Sequence, residues 1–227
     1  MEKIKTDVLK QMFLDGARLI IEKEPYLTEI DSVIGDGDHG EGMKRGCEAL
    51  IKILETENYV YVDELCRAVS IELIKTMGGA SGIIFGTMFL GGISSLGHQE
   101  YATAPQIADY FWNGEQAIER RGKARPGQKT MLDALYPACV EMKKAVLETS
   151  NIIEVLKRGY QAAVQGVADC RNFQSGIGRS RNFKEKTLGI PRPGSCFCKS
   201  LVSGFLFIGR LNNRRKTDML EKVSYNI

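Results

Sequence analysis

The chain contains 227 residues, with 31 Lys and Arg against 28 Asp and Glu, and 43% of its residues are hydrophobic. That apolar fraction and a net charge of only +3 exclude an intrinsically disordered chain. A sequence pI of about 8.5 argues against a nucleic-acid partner. The N-terminal pattern predicts no signal peptide, and the longest apolar run, residues 82–96, is shorter than the ~20 residues of a membrane span. We therefore predict a cytoplasmic protein with no membrane partner. Four of the six cysteines are predicted to be reduced and buried, whereas Cys196 and Cys198 form a C-x-C pair without zinc-ligand spacing.

Apolar residues recur three or four positions apart along most of the chain, which is typical of amphipathic helices. The pattern predicts a single all-α domain of eight helices. Asp63 is the expected N-cap of the third helix, and a strand is the alternative for the last one. The predicted helices lie at residues 9–21, 43–54, 63–73, 82–96, from 103 onwards, 132–146, 156–167 and 195–207. The loops between them lie at 28–42, 77–82, 121–130 and 175–194.

The first of these loops is acidic and rich in glycine. Asp31, Asp36 and Asp38 precede His39, and a helix is predicted to begin near Gly40. Carboxylates crowded in this way repel one another unless a cation neutralises them, and oxygen ligands select Mg²⁺, Mn²⁺ or Ca²⁺. A helix N-terminus attracts phosphate. The segment therefore predicts a metal–phosphate site, with an ordinary solvated turn as the alternative.

Two further glycine loops precede helices. The string MGGASG at residues 77–82 places small residues and the Ser81 hydroxyl at a helix start, which suits a phosphate; the alternative is that Ser81 caps the helix. The string GKARPGQKT at residues 122–130 is close to a P-loop. Gln128 separates its glycine from its lysine, and the preceding segment has a helical pattern, so a P-loop is excluded.

These loops, in this order, resemble the nucleotide-binding L subunit of dihydroxyacetone kinase. The matching strings are IGDGDHG (34–40), GGASG (78–82) with FGTMFLGG (85–92), GKARPGQKTMLDALYPA (122–138) and GRSRNFKEKTLG (178–189). The resemblance covers roughly residues 1–194. It implies an eight-helix antiparallel bundle or barrel with the nucleotide at one end.

The resemblance also implies the residues of the site. Asp31, Asp36 and Asp38 would hold two Mg²⁺ ions that bridge the phosphates of ADP or ATP. The implied nucleotide contacts are His39, Gly40, Glu41, Gly42, Ala80, Ser81, Gly122, Met131, Arg179, Arg192, Pro193 and Gly194. Phosphoryl transfer depends on positioning and charge neutralisation, so no catalytic base is expected in this chain.

The partners follow from the same resemblance. It places dihydroxyacetone on a separate K subunit and makes a phosphotransferase-system phosphohistidine subunit, M, the donor that recharges bound ADP to ATP. Some related chains serve sugar kinases that use exchangeable ATP, and the sequence does not separate the two. Two further functions are compatible with the sequence: that of a catalytically weak regulatory paralogue and that of a metal-dependent phosphohydrolase.

The last fifth of the chain departs from the family pattern. Arg192 stands where the family usually has an aspartate, and the string ADCRN at residues 168–172 also differs. We divide the chain into an L-type helical domain at residues 1–209 and an atypical basic tail at 210–227. Divergence of a paralogue and a frameshifted gene end are competing explanations for the tail.

Overall fold

The computed structural model describes the backbone of residues 1–206 and all but six of their side chains. The excluded side chains are those of Ile34, Arg179, Lys184, Leu201, Phe205 and Leu206. The helices are α1 (Thr6–Glu22), α2 (Glu24–Ile34), α3 (His39–Thr56), α4 (Val62–Thr76), α5 (Gly79–Gly91), α6 (Ala104–Gly122), α7 (Leu132–Ala145), α8 (Ile152–Asp169) and α9 (Pro193–Leu206). Short 3-10 helices cover Ile93–Ser95, Cys170–Asn172 and Arg179–Thr187, and two strands, β1 (Lys3–Lys5) and β2 (Tyr101–Thr103), complete the described structure.

Local sequence signals explain where several helices begin. Before α6, the backbone N–H of Thr103 donates to the side chain of Gln106 at 2.9 Å, as part of a capping box. At the start of α8, the side chain of Asn151 accepts a hydrogen bond from the N–H of Ile153 at 3.1 Å. The predicted start at residues 103–105 and the seventh predicted helix are therefore confirmed.

Eight of the helices close a ring around the core. The packed pairs run α1–α3–α4–α5–α6–α7–α8–α9 and return from α9 to α1. Short loops join most neighbours in the ring, so these helices alternate in direction. Their inward faces bury an apolar core that includes Phe13, Phe89, Phe111 and Phe197. The predicted all-α architecture is confirmed.

The ninth helix of the described part, α2, corrects the loop predicted at residues 28–42. It begins two residues after α1 ends and is helical through Ile34, so Asp31 lies on a helix. It packs on α3 and α9, which adds it to the end of the ring. The predicted cap at Asp63 is also wrong. Tyr61 occupies the N-cap position of α4, and Asp63 lies in its first turn, where an acid favours the helix dipole.

A small sheet closes the end of the ring where α6 begins. The two strands pair antiparallel, with Ile4 opposite Ala102, and both of these side chains are buried. Each strand has only three residues, which is too short to show an alternating pattern in the sequence. The sheet holds the N-terminal segment against the residues that lead into α6.

The remaining sequence predictions concern the thiols and the C-terminal segment. All six cysteines are unpaired and buried, which confirms the prediction for the four in helical patterns and extends it to Cys196 and Cys198. The last predicted helix is confirmed as α9, and the strand alternative is wrong through Leu206. The predicted tail at residues 210–227 lies outside the described residues. Within residues 1–206, no helix is both long enough and apolar enough to cross a bilayer.

Candidate functional site

A pocket of about 200 Å³ opens at the end of the ring opposite the sheet. The end of α6 and the beginnings of α3, α5, α7 and α9 meet there. Nine of the residues predicted for the site line it: Asp31, His39, Ala80, Ser81, Gly122, Met131, Arg192, Pro193 and Gly194. Segments separated by up to 163 residues along the chain therefore converge on one cavity.

The three predicted metal ligands form a cluster at the edge of this pocket. One carboxylate oxygen from each of Asp31, Asp36 and Asp38 lies within 4.8 Å of the other two. Asp31 is buried, whereas the other two are exposed. The donor set consists of hard oxygens that repel one another when ionised, which is the chemistry that Mg²⁺ or Ca²⁺ neutralises. The cluster therefore fits a divalent cation.

Backbone groups and glycines fix the geometry of the acidic loop. The N–H of Gly37 donates to Oδ2 of Asp31 at 3.0 Å, and that of His39 does so at 3.4 Å. Gly37 has a φ of +78°, which favours glycine. At Gly35 a Cβ atom would meet the carboxylate of Asp31. The glycines of this loop therefore allow the carboxylates to approach one another.

His39 connects the acidic loop to the start of α5. Its Nδ1 lies 3.3 Å from Oγ of Ser81. Its Nε2 is buried and has no hydrogen-bond partner within the described residues. Burial lowers the pKa of His39 to about 4, with Arg192 adding to the effect and Asp31 opposing it. The ring is therefore neutral at pH 7 and able to exchange hydrogen bonds with a ligand.

The start of α5 is open to the pocket. Gly78, with a φ of +76°, occupies the N-cap position, and no side chain caps the helix. The alternative prediction for Ser81, that it caps α5, is therefore wrong, because its hydroxyl faces His39 instead. The first N–H groups of a helix have no partner within the helix and attract anions. Ala80 and Ser81 line the pocket at this point.

Three other predicted contacts lie beside the pocket in the first turn of α3. Gly40 is buried against α2, where a Cβ atom would come within 2.7 Å of the carbonyl oxygen of Glu24. Gly42 is buried against the carbonyl of Met77, and Glu41 is exposed. None of the three lines the pocket among the residues described there. Arg179 begins a 3-10 helix, and its side chain lies outside the described part.

The far side of the pocket is apolar. Gly122 and Met131, from the motif at residues 122–138, lie there. Sequence reasoning missed the apolar residues that surround them: Ile84, Phe85, Ile118, Ala124, Leu132 and Ile177. Phe85 packs on Phe197, with ring centroids 3.9 Å apart. Local signals were present, since Ile84 and Phe85 follow GGASG closely and Ala124 and Leu132 lie within the motif at residues 122–138. An apolar slot of this kind suits a flat heterocycle.

The loop between α6 and α7 is held in place by the buried side chain of Lys129, which binds the segment after α8. This lysine is fully buried, and its Nζ donates to the carbonyls of Cys170 at 2.7 Å, Phe173 at 3.1 Å and Arg171 at 3.4 Å. Asp133 accepts hydrogen bonds from the backbone of the same loop. Lys129 therefore serves as a loop anchor, which agrees with the exclusion of a P-loop.

Arg192 lies immediately before α9 and faces the pocket. Its Nη1 atom is buried without a hydrogen-bond partner within the described residues. Burial lowers the pKa of the guanidinium, whereas the charge of Asp31 raises it. A guanidinium nevertheless stays protonated in proteins. The pocket therefore contains a cation beside its carboxylate cluster.

Comparison with known proteins places this geometry in a family. The family model of the DAK2 domain matches residues 33–206, so it begins later and ends later than the resemblance predicted for residues 1–194. A PTS-dependent dihydroxyacetone kinase ADP-binding subunit, DhaL, from Lactococcus lactis is 33% identical over 78% of this chain and 83% of its own. An L-erythrulose kinase from Pectobacterium atrosepticum is 31% identical over 80% of this chain, which spans only 31% of that relative.

A solved structure shows the same fold. The dihydroxyacetone kinase from C. freundii, in complex with AMP-PNP and Mg²⁺, superposes with a TM-score of 0.67 at 20% identity. The superposition covers 87% of this chain and 33% of that one. Because the family model spans residues 33–206, which is most of its length, the chain belongs to the DAK2 domain family.

Proposed function

We propose that this chain is the ADP- and Mg²⁺-binding subunit of a dihydroxyacetone kinase. The observation that carries the proposal is a cluster of three carboxylates, with oxygens within 4.8 Å of one another, at the edge of a pocket that has one apolar wall. The Lactococcus relative is named for ADP binding, and the C. freundii enzyme was solved with a nucleotide analogue and Mg²⁺. The chain is thus a phosphotransferase subunit in this proposal.

In this proposal, different residues of the pocket bind the metal ions, the phosphates and the adenine of the nucleotide. Asp31, Asp36 and Asp38 would hold two Mg²⁺ ions, which supply charge neutralisation for phosphoryl transfer. The open start of α5, with Ser81, would bind phosphate oxygens. Gly122 and Met131, with the apolar wall, would hold the adenine. Phosphoryl transfer is accelerated mainly by positioning the reacting groups, so no catalytic base is required in this chain.

Neighbouring groups assist the phosphate end. His39 is neutral and would share a hydrogen bond with the same phosphates as Ser81. Gly40 and Gly42 would act by letting α3 pack closely enough to place Asp38 and His39. In this proposal Pro193 and Gly194 form the floor of the pocket, and Arg179 adds a further cation. Glu41 would contact the nucleotide only through water, because it is exposed outside the pocket.

The proposal includes partners. A K subunit would hold dihydroxyacetone, and a phosphohistidine subunit, M, would recharge bound ADP. The Lactococcus relative is named as a subunit of a PTS-dependent dihydroxyacetone kinase, which supports a multi-subunit enzyme. We assign residues 1–209 to the nucleotide-binding domain and 210–227 to an added tail. A second candidate, an ATP-dependent kinase of a related sugar, is favoured by the name of the L-erythrulose kinase relative.

Identification of the copurifying nucleotide tests the proposal. Protein purified gently in Mg²⁺ should release ADP on denaturation, detected by mass spectrometry. Asp36→Asn should retain at least about tenfold less ADP. The substitution removes the charge of one proposed metal ligand, and a contact to a charged group contributes about 1.5–3 kcal/mol. Glu64→Gln, an exposed acid of α4, is the matched control. Absence of any ADP or ATP binding in Mg²⁺ would overturn the proposal.

Reconstitution separates the two candidates. With a K subunit, dihydroxyacetone and a phosphoenolpyruvate-driven donor, the first candidate predicts sustained formation of dihydroxyacetone phosphate from one bound ADP per chain. The second predicts turnover only when free ATP is supplied. A regulatory paralogue would bind the partner without turnover under either condition.

A further inference from the structure

We propose that Arg45 is a positioning residue for the phosphate end of the pocket, because its guanidinium joins the helix that follows the acidic loop to the segment that leads into α5. The inference rests on the proposed nucleotide site. It goes beyond that site because Arg45 is not among the described residues that line the pocket. Its role would be to place the groups that bind phosphate.

The first observation is the pair of hydrogen bonds that the guanidinium donates. Nε of Arg45 donates to the carbonyl of Thr76 at 2.9 Å, and Nη2 donates to the carbonyl of Met77 at 2.8 Å. Thr76 is the last residue of α4, and Met77 is its C-cap. Carbonyls at the end of a helix lack a partner within the helix, and a cation is favourable there. The side chain of Arg45 therefore fixes the end of α4.

The second observation is that these bonds join two different elements. Arg45 lies in the second turn of α3, six residues after His39, whereas Thr76 ends α4. A cation in the last turn of α4 is already supplied by Lys75, so a favourable charge at that end requires no residue from α3. The guanidinium thus forms a bridge between the helix that begins with His39 and the segment that leads into α5.

Close packing supports the same bridge. Met77 is buried against α3, where a Cβ atom on Gly42 would lie 3.1 Å from its carbonyl oxygen and one on Gly46 would lie 3.0 Å from its side chain. Gly78 has a φ of +76°, and a Cβ atom there would lie 2.9 Å from Nη2 of Arg45. The absence of side chains at these glycines lets α3 and its arginine approach the segment closely. Residues 77 and 78 are therefore held tightly against α3.

The bridge sets a distance within the pocket. Gly78 is the N-cap of α5, and the hydroxyl of Ser81, three residues later, lies 3.3 Å from Nδ1 of His39. His39 begins α3 and follows Asp38 directly. A shift of the start of α5 relative to α3 would move the open helix N-terminus away from the carboxylate cluster. Phosphates that bind the helix start and the metal ions together would then lose part of their contacts.

Equilibrium binding tests the proposal without an activity assay. Arg45→Met removes every donor and keeps the aliphatic stem of the side chain. In calorimetry it should weaken ADP binding in Mg²⁺ by about tenfold or more, the factor expected for one lost charged hydrogen bond, whereas adenosine should bind equally to both proteins. Arg45→Lys, which keeps a cation able to donate, should recover part of the affinity. Arg67→Met, at an exposed position of α4, is the matched control and should bind ADP like wild type.

The NMR signals of the imidazole rings give a second readout that needs no ligand. The chain has only two histidines, and His98 lies at the end of the ring that carries the sheet, opposite the pocket. In nucleotide-free protein, Arg45→Met should shift the ¹⁵N resonances of the His39 ring, because its contact with Ser81 changes. The resonances of His98 should stay unchanged, which separates a local shift of α5 from a general loss of structure.

Wild-type affinity of Arg45→Met for ADP would overturn the inference, as would an equal loss of adenosine binding or unchanged His39 resonances. Failure of wild type to bind ADP in Mg²⁺ would instead overturn the proposed function. In that case the His39 resonances would still decide whether Arg45 sets the position of α5.

Discussion

Replacement of Lys129 by Met would remove the anchor of the loop between α6 and α7. The variant keeps an unbranched, apolar side chain of similar length in the buried space and deletes only the ammonium. Three carbonyl oxygens that lie at the C-terminal end of α8 and just beyond it then lose their donor. The loop also loses the positive charge beside Asp133.

The expected cost follows from the hydrogen-bond distances. The bonds of 2.7 and 3.1 Å are the strong ones, whereas the third, at 3.4 Å, is weak. Two hydrogen bonds from a charged donor contribute about 3–6 kcal/mol together. Burial lowers the pKa of Lys129, which means that desolvation of the ammonium opposes part of this gain. We expect Lys129→Met to lower the free energy of unfolding by about 2–4 kcal/mol.

Thermal unfolding followed by circular dichroism measures the effect. For a chain of this length each kcal/mol shifts Tm by about 2–4 °C, so Lys129→Met should lower Tm by about 4–16 °C. Lys157→Met, at an exposed position of α8, is the matched control and should change the stability by less than about 0.5 kcal/mol. Equal Tm values for the two variants would show that the buried lysine does not hold the loop.

Two further substitutions test the packing and the electrostatics. Gly40→Ala places a Cβ against Thr28 and the carbonyl of Glu24, so it should lower the free energy of unfolding by about 1–3 kcal/mol in a denaturant titration. Gly176→Ala meets only ordinary contacts, and an equal effect there would contradict the close packing of α2 on α3. Burial raises the pKa of Glu115 above 4.5, so the stability contributed by its protonated form is present below that value and lost as the pH rises through the folded pKa. Glu115→Gln should therefore raise Tm at pH 7 and lose this advantage near pH 4, and a difference independent of pH would contradict the shift.

Periodicity predicted most of the ring helices, because an amphipathic helix buries one face and leaves the other in water. The apolar run predicted α5, which begins and ends earlier than the predicted 82–96, and a start signal predicted α6. The exception is α2. It begins directly after α1, and its polar residues around Asp31 have the composition of a loop. Its proline in the first turn and the buried Leu27 and Ile30, three positions apart, do form a helical pattern, but this was overlooked because Asp31 was grouped with the acidic glycine loop. The two strands were missed because three residues carry no period.

For the candidate site, too, the sequence predicted some features and missed others. The carboxylates and glycines of residues 31–40 are close in sequence, so the clustering of the three carboxylates could be predicted from the chain. The apolar wall and the role of Lys129 depend on contacts between distant segments. Lys129 bonds a carbonyl 41 residues away, and a lysine in a glycine loop otherwise indicates solvent or phosphate. Those features required the folded structure.

The buried cysteines have a practical consequence for experiments on motion. Thiol reagents attack the thiolate, and burial raises the pKa of Cys66 to about 12 while also raising that of Cys170. Modification of either residue therefore has to wait for a local opening of the fold. Cys66 lies near the start of α4, at the end that holds the sheet, and Cys170 follows α8 at the other end. Their alkylation rates, measured for each residue, would report separately how often each end of the ring opens. No additional cysteine has to be introduced for this measurement.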